Sequence, residues 1–136
     1  PCWFVVVMPS VGVSTPEAFA RYDTMGSPVH PDCQAQEDAI RAGDLKALCA
    51  AAGNALEHCS GAEETPAICA LLNANGALTS QMTGSGAAVF GVFEEEAQAR
   101  AACDALQKQY DKVYLAQPDH GGARVIYSRP VKPRTR

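Results

Sequence analysis

The stretch Met82-Thr83-Gly84-Ser85-Gly86-Ala87-Ala88-Val89-Phe90-Gly91 constrains the fold more than any other part of the chain. It sets Thr83 to Gly86 between two apolar runs, Leu78 to Met82 and Ala87 to Phe93. Apolar runs of this length bounded by glycine read as strands, and so short a connection predicts an antiparallel hairpin. Gly84 and Gly86 suit the positive φ that such a turn requires. The same small residues would let a phosphate or another segment approach the backbone, with Thr83 and Ser85 supplying hydroxyls. The residues alone leave turn and ligand loop both open. A P-loop or dinucleotide fingerprint is excluded, because those turns feed a helix N-terminus and this one feeds a strand, with no lysine after it.

Around the hairpin the apolar period changes several times. Trp3 to Met8 is a β-branched run ended by Pro9, which predicts a buried strand. Ser14-Thr15-Pro16-Glu17 predicts a helix start, with Ser14 and Glu17 as a capping box and the proline in the first turn. That helix is expected to run through Phe19 to about Tyr22, and its ring suits either the core or the face of a flat ligand. Residues 24–34 read as loop, and Gln36 to Arg41 as a helical turn stopped near Gly43. Asp44 then caps a predicted helix carrying Leu45, Leu48, Cys49, Ala52 and Leu56 on one face. Asn54 and Glu57 would form a local polar pair on it, and Ser60-Gly61 would end it. A further helix from about Glu64 ends at Gly76, another runs from Glu94 through Tyr110, and Lys112 to Ala116 is the last strand. The order predicts an α+β, ferredoxin-like sandwich: an antiparallel sheet of about four strands with helices mainly on one face.

At 136 residues this is one domain. No apolar run approaches the length of about 18 residues that a membrane helix needs. The opening Pro1-Cys2-Trp3 has no signal-peptide features and no initiator methionine, so a cytoplasmic piece of a longer protein is expected. Residues 1–118 carry 6 basic and 14 acidic side chains, whereas residues 119–136 carry 5 basic and 1 acidic. The acidic body argues against nucleic acid, and the basic segment 119–136, with Pro130 and Pro133, is expected to be a flexible tail. The 6 cysteines form no C-x-x-C pair, and His30, His58 and His120 stand apart, so neither a zinc site nor a disulfide is expected. No Ser-His-Asp set or carboxylate pair is legible, and neither a catalytic residue nor a metal ligand is assigned to this chain.

Taken together, the strand followed by VGVSTPEAF, the segment GNALE at residues 53–57 and MTGSGAAVFGVF resemble one family. They are similar, over roughly residues 3–117, to the C-terminal half of the 4-diphosphocytidyl-2-C-methyl-D-erythritol kinases, in the GHMP kinase superfamily. The resemblance implies a ferredoxin-like C-terminal domain spanning 1–118. It also implies ATP- and Mg2+-dependent phosphorylation of the 2-hydroxyl of CDP-methylerythritol, in non-mevalonate isoprenoid biosynthesis. On this likeness Thr83, Gly84, Ser85 and Gly86 belong to the phosphate-proximal loop, and Thr15, Pro16 and Phe19 to the wall along the cytidine. The family's phosphate loop and its catalytic lysine and aspartate belong to an N-terminal domain, the partner this chain would need, so the chain alone is expected to be inactive. Two other readings stand beside this one. A mevalonate or homoserine kinase is disfavoured by VSTPEAF, and a stand-alone ferredoxin-like binding module would have no N-terminal partner.

Overall fold

A computed structural model describes residues 2–27 and 30–124 of the chain. Its sheet begins with β1 (Trp3–Val7), whose alternation shows in its burial: Val5 and Val7 are fully buried, Phe4 and Val6 half-buried on the other face. α1 (Thr15–Asp23) follows, with Ser14 in extended geometry as its N-cap. The expected capping box does not form. Ser14 makes no side-chain cap bond, and Glu17 pairs with Arg21 one turn on. Pro16 still favours the start, because its ring pre-sets a helical φ and the first-turn N–H it lacks needs no partner.

α2 (Cys33–Ala42) starts inside the segment expected to be loop, because Asp32 caps it by accepting from the Ala35 N–H at 2.9 Å. Gly43, at φ 67°, ends it. Asp44 accepts from the Ala47 N–H at 2.9 Å and opens α3 (Leu45–Ala51), as the sequence suggests. α3 stops well before Leu56, however, and the helical pairing of Asn54 with Glu57 falls with it. Gly53 disfavours helix by about 1 kcal/mol. Asn54 also turns its side chain onto the Leu56 N–H at 3.0 Å, which offers the backbone a bend in place of the next helical turn.

α4 (Thr65–Ala74) and α5 (Glu96–Leu106) pack on the sheet completed by β2 (Thr79–Met82), β3 (Val89–Phe93) and β4 (Val113–Ala116). α5 ends before Tyr110, as the chain tightens into turns on the Leu106 carbonyl, yet Tyr110 still packs on the core. The strand order is β2-β3-β1-β4 with every pairing antiparallel, so β1 is central and is flanked by β3 and β4. This is the expected four-stranded, ferredoxin-like α+β sheet, with α1 to α3 inserted ahead of the helix that completes the first crossover.

The core lies between the sheet and α4–α5. Val5, Val7, Val89 and Phe93 meet Ile68 and Leu72 from α4 and Ala99, Ala102 and Leu106 from α5. Each large apolar side chain in it contributes about 1.5–3 kcal/mol by leaving water. Gly91 lets α4 close down, since a Cβ there would lie 3.0 Å from Leu72 Cδ2. Beside these layers α2 and α3 pack on each other, and Lys46 at the start of α3 pairs with Glu94 after β3 at 3.1 Å. The expected tail at 119–136 falls largely on residues 125–136, outside the described residues; within 119–124, Arg124 pairs with Asp119 at 2.9 Å. All 6 cysteines are free thiols. Among the described residues no helix is long and apolar enough to cross a membrane.

Candidate functional site

The two segments singled out in the sequence meet in the fold. The Thr15 and Ser85 hydroxyls are hydrogen-bonded at 2.7 Å, although 70 positions separate them. α1 reaches this place by its buried side. Ala18 is fully buried, and Arg21 donates to the main-chain carbonyls of Ser60, at 2.8 Å, and Cys59, at 3.3 Å. With that face anchored, Thr15 and Phe19, four positions apart and so neighbours on one helix face, are left outward. Phe19 is 51% exposed, so its ring does not belong to the core, and Pro16 is exposed beside it.

The glycine loop is a hairpin turn joining β2 to β3. Thr83 donates to the Ala88 carbonyl at 2.8 Å, and Gly86 donates back to the Thr83 carbonyl at 3.1 Å. Gly84 and Gly86 hold φ of 57° and 99°, the left-handed region that glycine occupies without a Cβ clash. Thr83 and Gly84 are exposed, whereas Ser85 and Gly86 are half-buried.

A further pair of contacts fixes the loop. Asn54 Nδ2 donates to the carbonyls of Met82 and Gly84, both at 2.8 Å, and Glu57 Oε2 accepts from the Met82 N–H at 2.9 Å. Sequence reasoning missed this role because it carried α3 too far. The signal was Gly53 followed by Asn54, a helix stop and then a residue that bonds backbone locally.

A cavity of about 250 Å³ lies beside the loop, walled by Pro9, Val11, Val13 and Ala87 on its apolar side and by Glu63 and Glu64 on its polar side. A second, of about 390 Å³, lies at the outer edge of β2 between Asp32, Asn54, Glu57 and Ser80. Neither cavity includes Thr15, Phe19 or Ser85, which form an open wall. That wall offers hydroxyls and an aromatic face, which equips it to bind and orient a ligand. His30, His58 and His120 are exposed, and among the described residues no three His, Cys, Asp or Glu side chains gather as metal ligands would.

Comparison with known proteins finds relatives of this chain. The family model described as GHMP kinases C terminal matches residues 36–112. The 4-diphosphocytidyl-2-C-methyl-D-erythritol kinase of Listeria monocytogenes is 32% identical over 120 residues, which cover 86% of this chain and 40% of the relative. That of Exiguobacterium sibiricum is 33% identical over 119 residues, covering 86% and 41%. The chain thus spans about 40% of the length of the curated relatives it matches. Among solved structures, a 4-(cytidine 5'-diphospho)-2C-methyl-D-erythritol kinase superposes with a TM-score of 0.67 at 24% identity, covering 85% of this chain and 42% of that one. The L. major mevalonate kinase in complex with R-mevalonate gives 0.68 at 21%, covering 86% and 43%. At these identities the structural likeness shows a shared fold.

Proposed function

Because the chain belongs to the GHMP kinase family and carries its C-terminal domain, we propose that residues 1–118 form the substrate-side wall of a cytoplasmic kinase. That kinase transfers phosphate from ATP to the 2-hydroxyl of 4-diphosphocytidyl-2-C-methyl-D-erythritol, a step of isoprenoid biosynthesis. One observation carries the reading: the Thr15–Ser85 hydrogen bond joins the cytidine-side segment to the phosphate-side loop in one continuous surface. Relatives that bear this kinase's name align along 86% of the chain.

Thr15, Pro16 and Phe19 flank the cytidine, with the outward ring of Phe19 stacking on the base. Thr83, Gly84, Ser85 and Gly86 form the floor beneath the phosphates, where the glycines let the backbone come close. Phosphoryl transfer depends on positioning and charge stabilisation rather than on covalent chemistry by the protein. A wall of hydroxyls and one ring therefore contributes by orienting the acceptor. Its donor set does not fit Mg2+, so ATP and the metal are assigned to an N-terminal domain, which would complete the cleft.

The test uses the full-length enzyme in a coupled ADP-release assay, with CDP-methylerythritol, mevalonate and homoserine as acceptors. CDP-methylerythritol is expected to be the substrate, and this chain alone is expected to stay at background. Phe19→Ala should raise KM for the cytidyl acceptor about threefold to tenfold, the worth of one stacked ring. Because the ring is half exposed, stability should change by less than about 0.5 kcal/mol. Preferred turnover of mevalonate or homoserine would overturn the substrate, and an unchanged KM would remove Phe19 from the wall.

A further inference from the structure

Met82 ends β2, the outer strand of the sheet, and both its main-chain groups are taken by side chains of the turn after α3. Glu57 accepts from its N–H, and Asn54 donates to its carbonyl. Those two bonds alone would be edge capping, since unpaired edge groups need partners. Asn54 does more. The same Nδ2 reaches the carbonyl of Gly84, past the end of the strand and inside the loop. The next residue, Ser85, carries the hydroxyl that meets Thr15. Asn54 is itself fixed, because its Oδ1 accepts from the Leu56 N–H at 3.0 Å. The loop is therefore held by its backbone from one turn and by a side chain from α1.

We propose that Asn54 and Glu57 are positioning residues for phosphoryl transfer. Their hold on Met82 and Gly84 sets the height of the glycine loop, and so the places of Ser85 and, through it, Thr15. This rests on the reading of the loop as the floor of a kinase cleft. A displacement of about an ångström at such a floor lowers rate on the order of a hundredfold, whereas a contact that only stabilises the edge leaves the rate of folded enzyme alone.

The experiment uses full-length enzyme, at a temperature where circular dichroism shows every variant folded. Asn54→Asp keeps the size of the side chain but sets carboxylate oxygens against two carbonyls. It is expected to lower kcat tenfold or more, with KM for ATP moving less than about threefold. Glu57→Gln, which can still accept from the Met82 N–H, should retain most of the kcat that Glu57→Ala loses. The control is Asn75→Asp, which breaks the 2.8 Å bond from Asn75 Nδ2 to the Leu71 carbonyl at the end of α4, away from the loop. It should lower the melting temperature and leave kcat within about twofold of wild type, in line with a purely structural contact. Equal kcat in Asn54→Asp and Asn75→Asp, or equal loss in the two Glu57 variants, would overturn the proposal. Should Asn54→Asp not fold, the Glu57 pair decides. If wild type turns over mevalonate or homoserine instead of the cytidyl acceptor, the proposed substrate falls, and the same comparison is read on the acceptor used.

Discussion

A methyl group added at Gly86 would sit 2.7 Å from the sulfur of Met82, at a φ of 99° that L side chains rarely adopt. At Gly84, where φ is 57°, an added Cβ would meet nothing within 4 Å. The two glycines of one turn thus face different demands. Gly86→Ala should cost about 1–2 kcal/mol in urea unfolding, and in the full-length enzyme it should lower turnover on the order of a hundredfold. Gly84→Asn should cost less than about 1 kcal/mol, since asparagine tolerates the left-handed region and open space surrounds the site. Equal losses at the two positions would show that backbone angle alone matters there. The need for positive φ at both was legible in the sequence, because glycines between two apolar runs leave little else. The crowding by Met82 was not, since it depends on how the end of β2 folds back over the turn. Phe19 was legible only as a choice between core and ligand. Its neighbour Ala18 turned out to be the buried residue, and that fixes the helix rotation that brings Phe19 outward.

Among the helices, the start of α3 was legible in Asp44, whereas the start of α2 was read as loop although Asp32 caps it in the same way. Asp44 and Asp32 both cap with side-chain bonds at 2.9 Å, but Ser14 does not cap. Asp44→Ala should therefore lose about 1 kcal/mol, and Ser14→Ala should stay within about 0.3 kcal/mol, as for a surface change. Urea midpoints of the two variants check this, and a larger loss at Ser14 would mean that its hydroxyl caps in solution. Helix ends were harder to read. The apolar period of α3 runs on to Leu56 although the helix stops at Ala51, because Leu56 is half-buried by the following turn and periodicity cannot separate the two. That error hid Asn54 and Glu57, the residues that tie α3's exit to the glycine loop. A local pattern does not contain a contact made to a strand far along the chain.

At the scale of the whole molecule, the strand and helix order sufficed for the fold, because strands set among helices with one tight hairpin leave few antiparallel arrangements. Three helices also carry thiols toward the interior: Cys49, Cys69 and Cys103. Burial pushes each above its ordinary value of 9.0. The unfolded chain releases these protons near 9.0 while the folded chain still holds them, so stability is unaffected below that pH and falls as pH rises past it. Tyr110, raised by burial from 10.0, adds a loss of the same sign at higher pH. Melting temperature should therefore decline from about pH 9 upward, and a flat profile up to pH 10.5, in calorimetry, would mean that these groups ionise freely in the folded state. The central place of β1 bears on biosynthesis as well. Its residue Val5 pairs with Gly91 on one side and Leu115 on the other, both far down the chain. As the polypeptide leaves the ribosome, β1 emerges before β3 and β4 and waits for both before its two edges are paired. During that interval an apolar strand is exposed, so a nascent chain stalled between α4 and β3 is the species most in need of a chaperone.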